Sequence, residues 1–258
     1  MITLDSLIEH FKALKIEAGD VIEVHVSLET LGFICGGAET ILSALLKVIG
    51  HEGTLVTNAH NMLNQDPALL DELIPLAEYP LYRKMMVANH GKQTIPNPID
   101  AFAYALQLKD LTLVSAHPTY AVMAYGKQAK WIIQNHALGE SFSDDSPYGR
   151  CLQLKAKVLL MGTDYSTVSS LHLAEYQSQI RPLEIKGAAI LKEGQRKWLE
   201  VMDYAYMSDY FNEVGYLLEA KQQVSILSLG KSQSKLFKLE QAVEVAKTYL
   251  GESYENQR

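Results

Sequence analysis

Near its start the chain holds a strand, a helix and a second strand within about 37 residues, and few folds accommodate that spacing. Residues 21–26 (Val-Ile-Glu-Val-His-Val) are rich in β-branched side chains and read as extended. After a glycine-rich turn, residues 38–49 place Ile41, Leu42, Leu45, Leu46 and Ile49 on one side of a helix. Residues 53–57 then read as a second strand. Such a βαβ unit is right-handed by default and calls for a sheet with parallel neighbours. The apolar run 157–161, ending at Gly162, reads as a buried central strand. Residues 3–14 read as a helix capped by Thr3, with Leu4, Leu7, Ile8, Phe11 and Leu14 at helical spacing. Helical patterns recur at 99–108, 127–135, 169–179, 207–220 and 239–250, and extended ones at 111–115 and 224–229. Residues 183–190 and 197–202 flank Glu193-Gly194, a hairpin turn. The expected fold is a single α/β domain over residues 1–258. Its central sheet is mixed and largely parallel, flanked by helices and a late β-hairpin. Residues 58–100 carry Pro67, Pro75, Pro80, Pro96 and Pro98. They are expected to form a short helix near 69–77 and otherwise long loops. Residues 251–258 are polar and expected to fray.

Composition removes several functions. No apolar run reaches the roughly 18–20 residues of a membrane span, and residues 1–15 lack the apolar core and cleavage site of a signal peptide. Thirty acids against 23 bases give a net charge of −7, which opposes generic nucleic-acid binding and allows a cationic small molecule. Cys35 and Cys151 are too few for a disulfide framework or a cysteine-rich zinc site, and they suit a reducing cytoplasm.

There is no Walker motif, GxGxxG, CxxC pair or HExxH. Three segments attract chemistry. The first runs from His25-Val-Ser27 to Gly32 and on to Gly36-Gly37, where a strand gives way to turns and a helix. Ligands of α/β proteins collect at such strand ends, and a helix N-terminus offers free N–H groups to phosphate; glycines at tight turns read the same way without a ligand. The second is Ser115-Ala-His117-Pro118, where the histidine is either a donor to a ligand or a structural hydrogen-bonding group. The third is Gly162-Thr-Asp164 followed by His172 and Glu175, three apart on one helix face. A histidine beside a carboxylate suits a general base; the same pair is also a partial metal site or a solvated salt link.

Taken in order, these segments resemble the aminoglycoside 3-N-acetyltransferase family. The likeness rests on His25-x-Ser27-Leu-x-x-Leu-Gly32, Gly36-Gly37-Ala38, Glu52-Gly53-Thr54-Leu55, Ser115-x-His117-Pro118, Ser146-Pro147-x-Gly149 and Leu171-His172-Leu-Ala-Glu175-Tyr176. It runs from about residue 20 to the end and is weakest over 58–100. The resemblance implies acetyl transfer from acetyl-CoA to an amine by direct attack, with no metal and no acyl-enzyme. It places His172 as the catalytic histidine, with Glu213 orienting it and Asp164 and Glu175 as further carboxylates nearby. It places Ser27, Thr30, Gly36, Gly37, Ser115 and His117 at the CoA and makes 58–100 an acceptor-side insertion. Asp144 and Asp145, just before the Ser-Pro-x-Gly motif, are expected to attract a cationic, aminoglycoside-like acceptor. The implied location is the cytoplasm, the partners are small molecules, and a homodimer is compatible with the reading. Two departures stand out: Val114 replaces the arginine that usually precedes the Ser-x-His-Pro motif, and the loop after the second strand reads Thr57-Asn-Ala-His60. Two rival readings are a serine hydrolase built on Ser27, which would lack the Gly-x-Ser-x-Gly elbow, and a non-catalytic binding relative.

Overall fold

The computed structural model describes residues 1–70 and 74–255. Helix α1 (Leu4–Ala13) is capped by Thr3, whose hydroxyl accepts from Ser6 N, and it leads into β1 (Val21–Val26). Then come α2 (Leu28–Leu31), α3 (Gly37–Ile49) and β2 (Thr54–Asn58). Next are α4 (Tyr79–Met85), α5 (Ala101–Gln107), β3 (Leu113–Val114) and β4 (Val122–Gly126). Helices α6 (Ala129–Ile133) and α7 (Pro147–Gln153) precede β5 (Lys157–Met161) and α8 (His172–Ser178). The chain ends with β6 (Leu183–Lys192), β7 (Gln195–Tyr204), α9 (Phe211–Ala220), β8 (Val224–Leu229), β9 (Ser232–Lys238) and α10 (Leu239–Glu255).

Seven strands form one sheet in the order β3-β4-β2-β1-β5-β9-β8, and β6 and β7 form a separate hairpin. β1 pairs in parallel with β2 and with β5, while the other neighbouring pairs are antiparallel. The sheet is mixed as expected, but parallel pairing is confined to its centre, because β4 and β9 return beside their neighbours. Neither β4 nor β9 was legible as a strand. The helix expected over 69–77 is not formed as such: residues 71–73 lie outside the described residues, and single 3₁₀ turns stand at Pro67–Leu69 and Leu76–Glu78. The helix of this region is α4, with Pro80 in its first turn, where its missing N–H costs nothing. The tail expected to fray is helical through Glu255, and residues 256–258 lie outside the described residues.

Alternation along β1 sorts its side chains between two cores. Ile22, Val24 and Val26 pack with α1, α3 and α5 on one face of the sheet. Val21 turns to the other face, where α6 to α10 pack, and Glu23 and His25 share that side by alternation. Each fully buried Leu or Ile contributes about 1.5–3 kcal/mol relative to exposure. No described helix is long and apolar enough to cross a membrane.

The hairpin is fastened to the sheet by a buried polar network. Asp203 Oδ2 accepts from Ser141 Oγ (2.5 Å) and Ser141 N (3.3 Å). His117 Nδ1 accepts from the amides of Thr119 (3.1 Å) and Tyr120 (2.8 Å), so its proton is on Nε2, which donates to Ser141 Oγ (3.0 Å). His136 Nε2 donates to the Ser141 carbonyl (2.8 Å), and Ser115 Oγ donates to His136 Nδ1 (2.9 Å) while accepting from Val122 N (2.9 Å). Both imidazoles are neutral. Burial pushes His136 down to about 4 and His117 well below its ordinary value.

Between those lowered values and about 6.5, the unfolded chain binds protons that the folded one refuses, so stability falls as pH falls. We expect a loss of about 1.4 kcal/mol per pH unit per histidine between about pH 6 and pH 4.5. Urea unfolding across that range measures the slope. Replacing His136 by Gln should remove one histidine's share of it, and an unchanged slope would reject this origin of acid lability.

Candidate active site

The parallel register brings three strand ends to one edge of the sheet. Val26 lies beside Met161, so Ser27 and Gly162 emerge together, and β2 ends alongside at Asn58. The loop after β1 leads to α3 on the first face and the loop after β5 leads to α8 on the second, which opens a crevice between them. Thr30 ties the two loops, its hydroxyl reaching the carbonyls of Ser27 (2.9 Å) and Gly162 (2.5 Å). Gly162 has φ +69°, and a Cβ there would lie 2.1 Å from Thr30 Oγ1. The junction therefore requires glycine.

His172 opens α8. Its Nδ1 is 2.6 Å from Glu175 Oε2, and a carboxylate there fixes the Nδ1–H tautomer. The lone pair of Nε2 is left free, and no described side chain hydrogen-bonds to it. The ring is wedged among Phe142, Phe211 and Tyr206, at centroid distances of 4.6, 4.8 and 5.3 Å. Glu175 is fully buried. Its other oxygen accepts from Arg181 Nε (2.5 Å) and Met207 N (3.2 Å).

The neighbourhood is polar below and aromatic around. His25 Nε2 meets Glu23 Oε1 at 2.9 Å beside the sheet, while Glu23 Oε2 is buried without a hydrogen-bond partner among the described residues. Asn58 donates to Ser169 Oγ (3.0 Å) and accepts from the Tyr148 hydroxyl. His60 stands edge-on to Tyr120, its buried Nε2 unpartnered, and burial pushes it down to about 3 with His172 and His25 adding to the effect. Lys186 of the hairpin lies over the rings of Tyr206 (4.6 Å) and Tyr120 (5.2 Å), and burial lowers its pKa.

Of the three carboxylates and one histidine expected to act together, only Glu175 and His172 meet. Glu213 is exposed on α9 and has no hydrogen bond to His172; the orienting carboxylate is Glu175, which α8 places one turn away. Asp164 caps the turn after β5, accepting from Ser166 N (3.0 Å) and Ser166 Oγ (2.5 Å), and that hydroxyl first of all holds its pKa down. Ser115 and His117 are buried, with their polar atoms hydrogen-bonded to protein partners. The structural alternative for His117 is the one the geometry supports. Ser27 and Thr30 stand at the junction of the β1 and β5 loops, and Gly36 and Gly37 at the start of α3. Gly36 has φ +79° and precedes α3, whose first amides carry no side-chain cap. That uncapped turn fits a phosphate-bearing ligand such as CoA. Asp144 and Asp145 are exposed, and Asp144 Oδ1 accepts from Gln177 Nε2 (2.7 Å) on α8. Arg181, Tyr206 and Phe142 had no local signal, since each reaches His172 or Glu175 from beyond the helix that bears them.

Comparison with known proteins places this geometry. A sequence model described as aminoglycoside 3-N-acetyltransferase matches residues 24–251. The SPbeta prophage-derived aminoglycoside N(3')-acetyltransferase-like protein YokD of Bacillus subtilis (strain 168) is 30% identical over 253 residues, covering 96% of this chain and 92% of that one. Its crystal structure superposes with a TM-score of 0.92 at 29% identity, over 96% of this chain and 93% of that one. Aminoglycoside N(3)-acetyltransferase III of Pseudomonas aeruginosa is 28% identical over 206 residues, covering 77% of this chain and 73% of its own. The fold is also that of AAC-IIIb solved as a binary with CoASH, at a TM-score of 0.86 and 22% identity over 97% of each chain. With one model spanning nearly the whole chain and a relative alike almost from end to end, the chain belongs to the aminoglycoside 3-N-acetyltransferase family, a family of acyltransferases.

Proposed function

We propose that this protein transfers the acetyl group of acetyl-CoA to an amino group of a small cationic molecule, with His172 as general base. The observation that carries the reading is His172 itself: Nδ1 is anchored on a buried carboxylate and Nε2 is left free at the crevice. An amine attacks a thioester carbonyl only when neutral, so its proton must leave as the C–N bond forms. Nε2 takes that proton, Glu175 holds the imidazolium that results, and the C–S bond breaks to release CoA. The Ser27 hydroxyl and the α3 amides after Gly37, whose own N–H is taken by the Ile34 carbonyl, are the donors available to the thioester oxygen or the phosphates. The relatives' names support an aminoglycoside-like amine as acceptor. Asp144 and Asp145 supply an exposed negative rim near Tyr176, whose hydroxyl burial pushes up, with Glu140, Asp144 and Asp145 adding to it. A Ser27 hydrolase is disfavoured because no hydrogen bond joins Ser27 to His172 among the described residues.

His172→Ala should lower kcat by about 10²–10⁴-fold with little change in CoA affinity, read by thiol release and by a CoA binding titration. Near-normal turnover in the folded variant would sink the assignment. For the rim, rising salt shortens the screening length from about 10 Å at 0.1 M to about 3 Å at 1 M. Kcat/KM for a polyamine should therefore fall more steeply with salt than that for a singly charged amine. Asp144→Asn with Asp145→Asn should level the two slopes, and a double variant identical to the parent for every cationic acceptor removes these acids from the acceptor site.

A further inference from the structure

We infer that Arg181 is the positioning residue of the His172–Glu175 pair, gripping the Glu175 carboxylate from the side opposite His172 so that its other oxygen stays on Nδ1 and Nε2 stays free. The inference rests on the reading of His172 as base and goes beyond it, since no local sequence pattern marks Arg181.

The geometry is a chain of three groups. His172 Nδ1 sits 2.6 Å from Glu175 Oε2, and Arg181 Nε sits 2.5 Å from Glu175 Oε1. Glu175 is fully buried, whereas His172 and Arg181 keep a narrow exposed margin, with side chains 12% and 19% exposed. A carboxylate so buried keeps its charge only with strong partners. It has two ionisable ones and an amide, Met207 N at 3.2 Å. Arg181 is itself pinned beyond the carboxylate. Its guanidinium lies over the Tyr210 ring at 5.7 Å, Nη2 faces Asp209 at 3.5 Å, and Nη1 reaches Met207 Sδ at 3.3 Å. The clamp thus joins the end of α8 to the segment between the hairpin and α9.

Arg181 opposes protonation of the pair. With the arginine present, the negative charge of Glu175 is shared between a permanent cation and the imidazole. Without it, the whole charge falls to the imidazole and favours a second ring proton, on Nε2, beside the Nδ1–H that already faces Glu175. A proton held on Nε2 leaves no lone pair to accept from the attacking amine. The other groups facing the pair do not replace Arg181. His60 is neutral and lies on the β2 side, the Tyr206 phenol is partly buried and the Tyr210 phenol buried, and burial holds both protonated. Lys186 sits over the Tyr206 ring near Glu184 and the buried Asp203, and Asp209 is exposed on the far side of Arg181.

Arg181→Met and Arg181→Lys are compared with the parent protein. Three quantities are read: kcat/KM against pH, the KM for acetyl-CoA, and the pH titration of the His172 ring protons by NMR, assigned with His172→Ala. We expect Arg181→Met to move the rising limb of kcat/KM, and the ring titration with it, upward by about one pH unit or more. Turnover at pH 7 should fall at least tenfold and the KM for acetyl-CoA stay within about twofold. Arg181→Lys, which keeps the charge but not the fork, should recover part of both. If Arg181→Met proves unfolded, the smaller upward shift in Arg181→Lys carries the test. Folded variants in which the ring titration does not move overturn the inference. The NMR reading needs no turnover, so a parent protein that acetylates nothing would count against the proposed function alone.

Discussion

Parallel pairing of β1 with both β2 and β5 is the constraint from which the rest follows. It delivers Ser27, Asn58 and Gly162 to one edge of the sheet, and the two following connections pass to opposite faces. A gap must open where chains diverge from adjacent strand ends. The gap is kept in shape by Thr30, which ties both loops, and by Gly162, which alone tolerates that approach. The antiparallel strands β4 and β9 widen the sheet on either side of this parallel centre.

Two buried carboxylates turn the crevice into a site. Glu175 fixes His172, and Asp203 fixes Ser141 and, through it, His117. Asp203 also accepts from the Tyr206 hydroxyl at 3.1 Å, and the Tyr206 ring packs on His172. Removing the partner of a buried charge typically costs about 3–5 kcal/mol, so neither carboxylate is a passive filler. The hairpin, though separate from the main sheet, is therefore part of the frame that orients the histidine.

The βαβ start, the buried strand at 157–161 and the hairpin turn were legible because each is encoded within a dozen residues. β9 was not: Ser234 and Lys235 are buried there, and Lys235 is tolerated only because it pairs with Glu219 at 2.7 Å and lies over Tyr165 at 4.5 Å. Those partners are distant in sequence, so the local pattern reads as polar. β4 has too short an apolar run for alternation to show. The His172–Glu175 pair was legible because three-residue spacing on a helix forces contact. Arg181 follows Glu175 by six residues, past a left-handed turn at Gln179, and no periodicity predicts its return. Glu213 and Asp164 were credited for nearness in sequence or likeness to a pattern, and both face elsewhere.

Ser115 and His117 act on the site through packing. Their hydrogen bonds fix the turn that carries Tyr120, and Tyr120 packs on Phe142, which packs on His172. A change at either residue would reach the crevice as a shifted aromatic wall. The same reasoning accounts for Lys186. Asp203 takes its hydrogen bonds from hydroxyls and amides, none of which is a cation. Burial disfavours the charge of Lys186, while Asp203 and Glu184 favour it, and the Tyr206 and Tyr120 rings lie beneath its ammonium. Glu175 thus has Arg181 in direct contact, whereas Lys186 pairs with Glu184 at 3.6 Å and acts on Asp203 only through space. Tyr206 stands between the two pairs, in ring contact with both Lys186 and His172. A substitution on the hairpin that displaced Lys186 would consequently be felt at His172 through packing before it was felt through charge.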